Sequence, residues 1–177
     1  MTMHDDFYQM YLEEIETIPV CNKEELKALA ERLEQRDILA QSRLIEGNLK
    51  PVLAIAREYA DRGVILNDLV QEANMALTLY VRQFAAAADT FAAGLDTAVR
   101  KALEEVVTIQ DQEQEIKETV AARVNVLQDI SRMMAEELGR EATVAELAGK
   151  MKMTEDEIKD IMKLTIDALS VSVEPGE

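Results

Sequence analysis

An all-α fold is what this sequence predicts, and three observations carry the prediction. Aromatic residues make up 4% of the 177 and tryptophan is absent, while the hydrophobic share is 48%. The interior must therefore be Leu, Ile, Val, Ala and Met, the residues of packed helices. Apolar residues recur at helical spacing along most of the chain. Helix-opening pairs recur as well, a capping residue followed three positions later by Glu, at Asn22/Glu25, Thr143/Glu146 and Thr154/Glu157. The length suits one ordinary domain or two small ones.

Taken in order, Asp5 to Glu16 places Phe7, Met10, Tyr11, Leu12 and Ile15 at helical spacing, and Ile18-Pro19 interrupts it. A second helix, capped by Asn22, repeats Leu26, Leu29, Ala30 and Leu33 on one face through Glu34, and Arg36-Asp37 breaks it. A short helix over Ile38 to Glu46 is expected to stop at Gly47-Asn48, because both residues tolerate a left-handed backbone. Leu49 to Tyr59 then resumes. Pro51 falls in its first turn, where the missing N–H costs little, and Val52, Leu53, Ile55, Ala56 and Tyr59 form the stripe.

Asp61-Arg62-Gly63 closes that helix, and Val64 to Asn67 leads into a long one, Asp68 to Phe84, ending in Ala85 to Ala88. Another runs from Phe91 to about Val107. The polar stretch Thr108 to Glu118 has no apolar face and predicts a boundary, dividing the chain into residues 1–112 and 113–177. The second unit reads as Val120 to Leu138, Gly139 and two short helices, a three-helix bundle of helix-turn-helix type. Ser170 to Glu177 reads as extended.

Composition excludes several functions. Lys and Arg total 19 against 35 Asp and Glu, a formal charge of −16, the wrong sign for general phosphate binding. With 11 basic and 20 acidic residues before position 112 and 8 and 15 after it, neither half hides a basic domain. The single Cys21 forms no internal disulfide and no leader-like segment opens the chain, so a cytoplasmic protein is expected. No run approaches the roughly 18 apolar residues needed to span a bilayer.

Catalysis needs a convergent constellation, and none is visible. The sole histidine, His4, sits near the chain start, Cys21 reads as a small buried hydrophobe, and the isolated glycines make no phosphate loop. Neighbouring carboxylates such as Glu13-Glu14 and Glu104-Glu105 diverge by about 100° on a helix and read as solvated faces. No catalytic residue, metal site or cofactor is expected.

The segment Asp68 to Phe84 stands out. One side carries Leu69, Ala73, Ala76, Leu77, Tyr80 and Phe84, a core face. On the other, Asp68, Gln71, Glu72, Met75 and Leu79 fall together with Asn74 adjoining, so polar groups surround two outward apolar side chains. That arrangement suits a docking surface for another protein.

The runs RLIEGNLKPVLAIAREY (Arg43 to Tyr59) and YADRGVILNDLVQEAN (Tyr59 to Asn74) resemble the polymerase-binding region of sigma-70-type, primary bacterial sigma factors. MYLEEIETIP (Met10 to Pro19) resembles their first conserved helix. ELGREATVAELAGKMKMTEDEI (Glu137 to Ile158) resembles the following domain, and Leu169 to Glu177 its closing segment. The resemblance implies a sigma-factor-like helical bundle followed by a small three-helix domain. It also implies that Asp68, Leu69, Gln71, Glu72, Asn74, Met75 and Leu79 bind core RNA polymerase, at the clamp helices of its largest subunit. Asn67, Ala73 and Thr78 depart from the family's residues.

In this family the next helix opens promoter DNA, stacking flipped bases on aromatic rings. Stacking is worth about 1–3 kcal/mol per base and needs a π-face. Aligned on Arg100, this chain has Gly94 for the stacking tyrosine and Thr97 and Ala98 for paired tryptophans. Lys101 replaces a duplex-reading glutamine, and Glu104 and Glu105 replace a threonine and an arginine. Gln112 and Glu115 stand where the family has arginines, and Thr119 and Ala122 where a histidine and a glutamate read an upstream extension. A helical wheel puts Phe91, Leu95, Ala98, Val99, Ala102 and Val106 on the core side, and Gly94, Thr97, Lys101, Glu104 and Glu105 outward.

The expectation is a sigma-like regulator that binds core polymerase without melting promoters, little DNA being held by the chain itself. The family's distal promoter-binding domain is not expected in this chain, which stops where the linker to it would begin. DNA reading by Glu155 to Leu164 is not expected either, since Glu155, Asp156 and Glu157 would face phosphates. Two other readings stand beside it: a divergent working sigma factor whose partner protein supplies DNA recognition, and an acidic mimic of DNA.

Overall fold

The computed structural model of the chain describes residues 3–171, with side chains over 8–164. Seven α-helices and a single 3-10 turn at Ala88–Thr90 make up its regular structure, with no strand among the described residues. The helices are α1 Met3–Glu16, α2 Lys23–Leu33, α3 Ile38–Arg57, α4 Leu66–Gln83, α5 Phe91–Leu138, α6 Val144–Met151 and α7 Glu155–Val171. His4 and Phe7 fall in α1, their side chains outside those described. None of the described helices is long and apolar enough to cross a membrane.

The expected caps form. The Asn22 side chain accepts from Glu25 N at 2.9 Å. Thr143 and Glu146 make a reciprocal capping box. At α7, Glu157 N donates to Thr154 Oγ1 at 3.2 Å while Thr154 N donates to Glu157 Oε2 at 2.8 Å. Asp37 adds a cap that sequence spacing alone does not single out: its carboxylate accepts from Leu39 N and Ala40 N and also pairs with Arg32 at 2.6 Å.

One expected break is not a break. Residues 38–57 form a single helix running straight through Gly47, Asn48 and Pro51. The reason lies outside the segment. Pro51 cannot donate to the Gly47 carbonyl four residues back, and the Cys21 backbone N–H takes that carbonyl at 3.2 Å instead. Gly47 is helical here, and its bare Cα lets Cys21 approach: a Cβ would run into Cys21 Sγ and sit 2.8 Å from an Arg43 nitrogen. Asn48, itself buried, donates from Nδ2 to Leu44 O at 2.6 Å. The residues that look like a stop signal are thus a close crossing point for the α1–α2 connection.

The second correction is α5, which is continuous over 48 residues. The stretch expected to be a polar boundary is helical throughout, and residues 111–119 are all exposed. Gln, Glu and Lys are good helix formers, and i,i+4 partners support the run, Gln114 with Glu118 at 2.9 Å and Lys117 with Glu113 at 3.9 Å. Absence of an apolar face marks exposure, not a helix end. Two compact units, Met1–Asp111 and Gln112–Glu177, meet within this helix. Ser170, expected to be extended, belongs to α7, and residues 172–177 lie outside those described.

In the first unit, α3 and α4 pack extensively, and the core centres on Leu44, Val52, Leu69, Leu77, Phe91, Val99 and Leu103. Leu103 was not among the residues expected on the core face of α5. The second unit has its own smaller core of Leu127, Leu147, Ala148, Ile158 and Ile161.

Gly47→Ala should lower stability by about 1–3 kcal/mol, as overpacking does, measured by chemical denaturation. Acid should weaken the second unit. The Arg140 guanidinium, then the Thr143 N–H and hydroxyl, lower the Glu146 carboxyl from 4.5 to about 2. A depressed folded-state value adds stability above the unfolded one and loses it as pH falls from about 4.5 towards 2. Glu146→Gln should flatten that part of the acid-unfolding profile.

Candidate functional site

The candidate docking helix α4 is held by its buried face and by a tie to α1. Leu69, Val70, Ala73, Ala76, Leu77 and Val81 are buried in the core, so Leu69, although one of the expected contact residues, anchors the helix from beneath. Asn74 is half-buried and engaged, its Nδ2 donating to Tyr11 Oη at 3.0 Å, which ties α4 to α1. Sequence could not suggest this pair, whose members lie 63 positions apart. Thr78 returns its hydroxyl to Asn74 O at 2.9 Å.

What remains outward is Asp68, Gln71, Met75 and Leu79, with Glu72 half-buried beside them. Met75 is 51% and Leu79 47% exposed, large values for apolar side chains in the middle of a core-packed helix. Among the described residues no ion pair engages Asp68 or Glu72.

The start of α5 differs from the wheel expectation at one position. Thr97, Lys101, Glu104 and Glu105 are exposed and Ala98 half-buried, but Gly94 does not face outward. A Cβ there would run into Tyr80 Oη and lie 2.9 Å from its Cζ. The Tyr80 hydroxyl donates to Phe91 O at 3.1 Å, and the rings of Tyr80, Phe84 and Phe91 pack against one another in tilted and edge-to-face contacts at centroid distances of 5.6, 5.3 and 5.1 Å. The ring that occupies the space beside Gly94 is Tyr80 of α4, half-buried there. Burial pushes its phenol above the usual range.

Charge on this face is also spent internally. Arg62 grips Glu104 through two hydrogen bonds of 2.6 and 2.8 Å and lies over the Tyr59 ring, 5.3 Å from its centroid. That pairing holds the Glu104 carboxyl below its ordinary range. Arg100 bridges Glu58 at 2.6 Å and Asp96 at 3.0 Å. Lys101 lies 3.8 Å from Glu105. Thr97 satisfies its hydroxyl on Ala93 O at 2.9 Å. Glu115, Thr119 and Ala122 are exposed further along α5, in the second unit.

Among the described residues no group of His, Cys, Asp and Glu is placed to hold a metal ion. Cys21 is buried against Arg43, where desolvation raises its thiol, the opposite of nucleophilic activation.

Restoring a ring at position 94 alone should fail. Gly94→Tyr should destabilise the protein by about 1–3 kcal/mol, whereas adding Tyr80→Ala should recover part of that loss. A positive coupling in this double-mutant cycle, read by thermal unfolding, is the expected result.

The description Sigma-70 region 3 matches residues 122–177. The chain is 33% identical over 179 positions to RNA polymerase sigma factor SigA of Clostridium acetobutylicum, covering 98% of this chain and 46% of that protein. It is 32% identical over 174 positions to RNA polymerase sigma factor SigA of a Bacillus species, again 98% and 46%. The chain thus spans under half the length of these curated relatives, and the likeness runs through both compact units. With the all-helical fold and the motifs in order, this chain belongs to the sigma-70-type family of RNA polymerase sigma factors.

Proposed function

We propose that the chain binds core RNA polymerase through the outer face of α4 and does not melt promoter DNA by itself. The observation that carries the first half is the pair Met75 and Leu79, half-exposed on a helix rigidly seated in the core and rimmed by Asp68, Gln71 and Glu72. Apolar anchors inside a polar rim are how protein interfaces are built. The clamp helices of the polymerase's largest subunit are the proposed contact, since α4 is the element most like the family's docking helix. Asn74 takes a supporting part, holding α4 to α1 rather than meeting the partner.

The second half rests on three features of α5. Base capture needs a ring, and Gly94, Thr97 and Ala98 supply none. Exposed carboxylates at Glu104 and Glu105 would face phosphates with the wrong charge. Arg62 and Arg100 are occupied by internal carboxylates. Such a protein competes with sigma factors for polymerase, or joins it as an accessory subunit beside a protein that supplies DNA recognition.

Gln71→Ala/Glu72→Lys should reduce capture of core polymerase, and of isolated clamp helices, by about tenfold or more while leaving the melting temperature near that of the parent. Equal capture would remove the docking proposal. Promoter DNA offered to the reconstituted complex should stay double-stranded. The acidic-mimic alternative is separated by salt: mimicry of DNA collapses at high ionic strength, whereas a docked helix with apolar anchors loses less.

A further inference from the structure

Beyond the α4 face, the second unit carries an open trough along α5 and α7. One end, about 250 Å³, lies beside Ile116, and the other, about 150 Å³, beside Ile161 and Leu164; Val120 and Arg123 line both. Its origin is visible in the helix geometry. At about 100° per residue, Ile116, Val120 and Leu127 share one face of α5. At Leu127 that face is buried in the core with Leu147, Ile158 and Ile161. Towards Ile116 the cover ends. Ile116 is 63% exposed, in the middle of the wholly exposed stretch 111–119. The apolar strip of the core therefore continues outward, uncovered, along the trough.

The rim supplies the sign of the occupant. Glu115, Glu157 and Asp160 face the trough against a single guanidinium, Arg123. A second copy of the chain brings the same charge of −16 and is repelled. Residues 172–177 of this chain add two carboxylates and no cation, so they too match the rim poorly. An apolar strip between carboxylates fits a helix with apolar residues on one side and Lys or Arg flanking them.

We propose that this trough docks a basic amphipathic helix of another protein. The partner brings to the complex the positive charge that this chain lacks throughout, the property a DNA-contacting subunit needs. The inference rests on the second unit alone and stands apart from docking through α4.

The test uses the full chain and three labelled helical peptides: Leu/Lys with leucines at i, i+3, i+4 and i+7, the same with Glu for Lys, and Ser/Lys of equal charge. Fluorescence anisotropy is read in enough salt to screen general attraction. Leu/Lys should bind and the other two should not. Ile116→Glu, the milder Ile116→Ser, and Glu115→Lys/Asp160→Lys should each weaken binding about tenfold or more. Glu13→Lys/Glu14→Lys, on α1, should leave it unchanged. Circular dichroism melts should match the parent for the Ile116 variants, because the side chain is exposed. Equal binding of Ser/Lys, indifference to both Ile116 variants, binding that appears only once residues 172–177 are removed, or a dimer that Ile116→Glu dissolves would each overturn the proposal. Polymerase capture by Ile116→Glu, read in parallel, should equal the parent's, which keeps the two docking surfaces separable.

Discussion

The Tyr80 ring lying across Gly94 is the contact that fixes the junction of α4 and α5 in the first unit. It closes the junction between the end of α4 and the start of α5, where Phe84 and Phe91 complete a three-ring cluster and the phenol is anchored on Phe91 O. Three of the chain's seven aromatic residues are spent here. The contact does two things at once. It joins the end of α4 to the start of α5 through the Phe91 carbonyl, and it fills the space that a side chain at 94 would need. A side chain at 94 is thus excluded by packing alone.

Electrostatics then repeat the same division. A chain of net charge −16 could still offer a local basic patch, but the arginines beside the start of α5 are claimed from within: Arg62 by Glu104, Arg100 by Glu58 and Asp96. These pairs are exposed and contribute little to stability. Their effect is on recognition, because a guanidinium already gripped by two carboxylate oxygens has few donors left for a phosphate. Glu104 is thus more than a lost residue: it neutralises a cation 42 positions away.

Much of this was legible beforehand wherever the determinant is local. Capping pairs need only a side chain and a backbone N–H three residues apart, so Asn22, Thr143 and Thr154 announced their helices correctly. The core stripes of α2 and α4 followed from periodicity. The misreadings share one cause. Gly47-Asn48 reads as a stop and Pro51 as a first-turn residue only if the Gly47 carbonyl freed by Pro51 finds no outside partner, and Cys21, far away in the chain, supplies one. The run 108–118 reads as a boundary between units, and the compact units do divide at 111/112; what differs is the helix, since good helix formers with i,i+4 partners need no buried face to continue through it.

By itself the sequence determined the helical class, the acidic balance, the positions of the caps and the absence of rings at 94, 97 and 98, because each depends on residue identity or on neighbours within one turn. Tertiary structure alone decided that α3 and α5 run unbroken, that Asn74 is tied to Tyr11, that Leu69 is on the buried side of α4, and that Tyr80 covers Gly94. Those outcomes turn on contacts between residues far apart in the chain or on the burial that packing imposes, whose geometry exists only once the helices are packed.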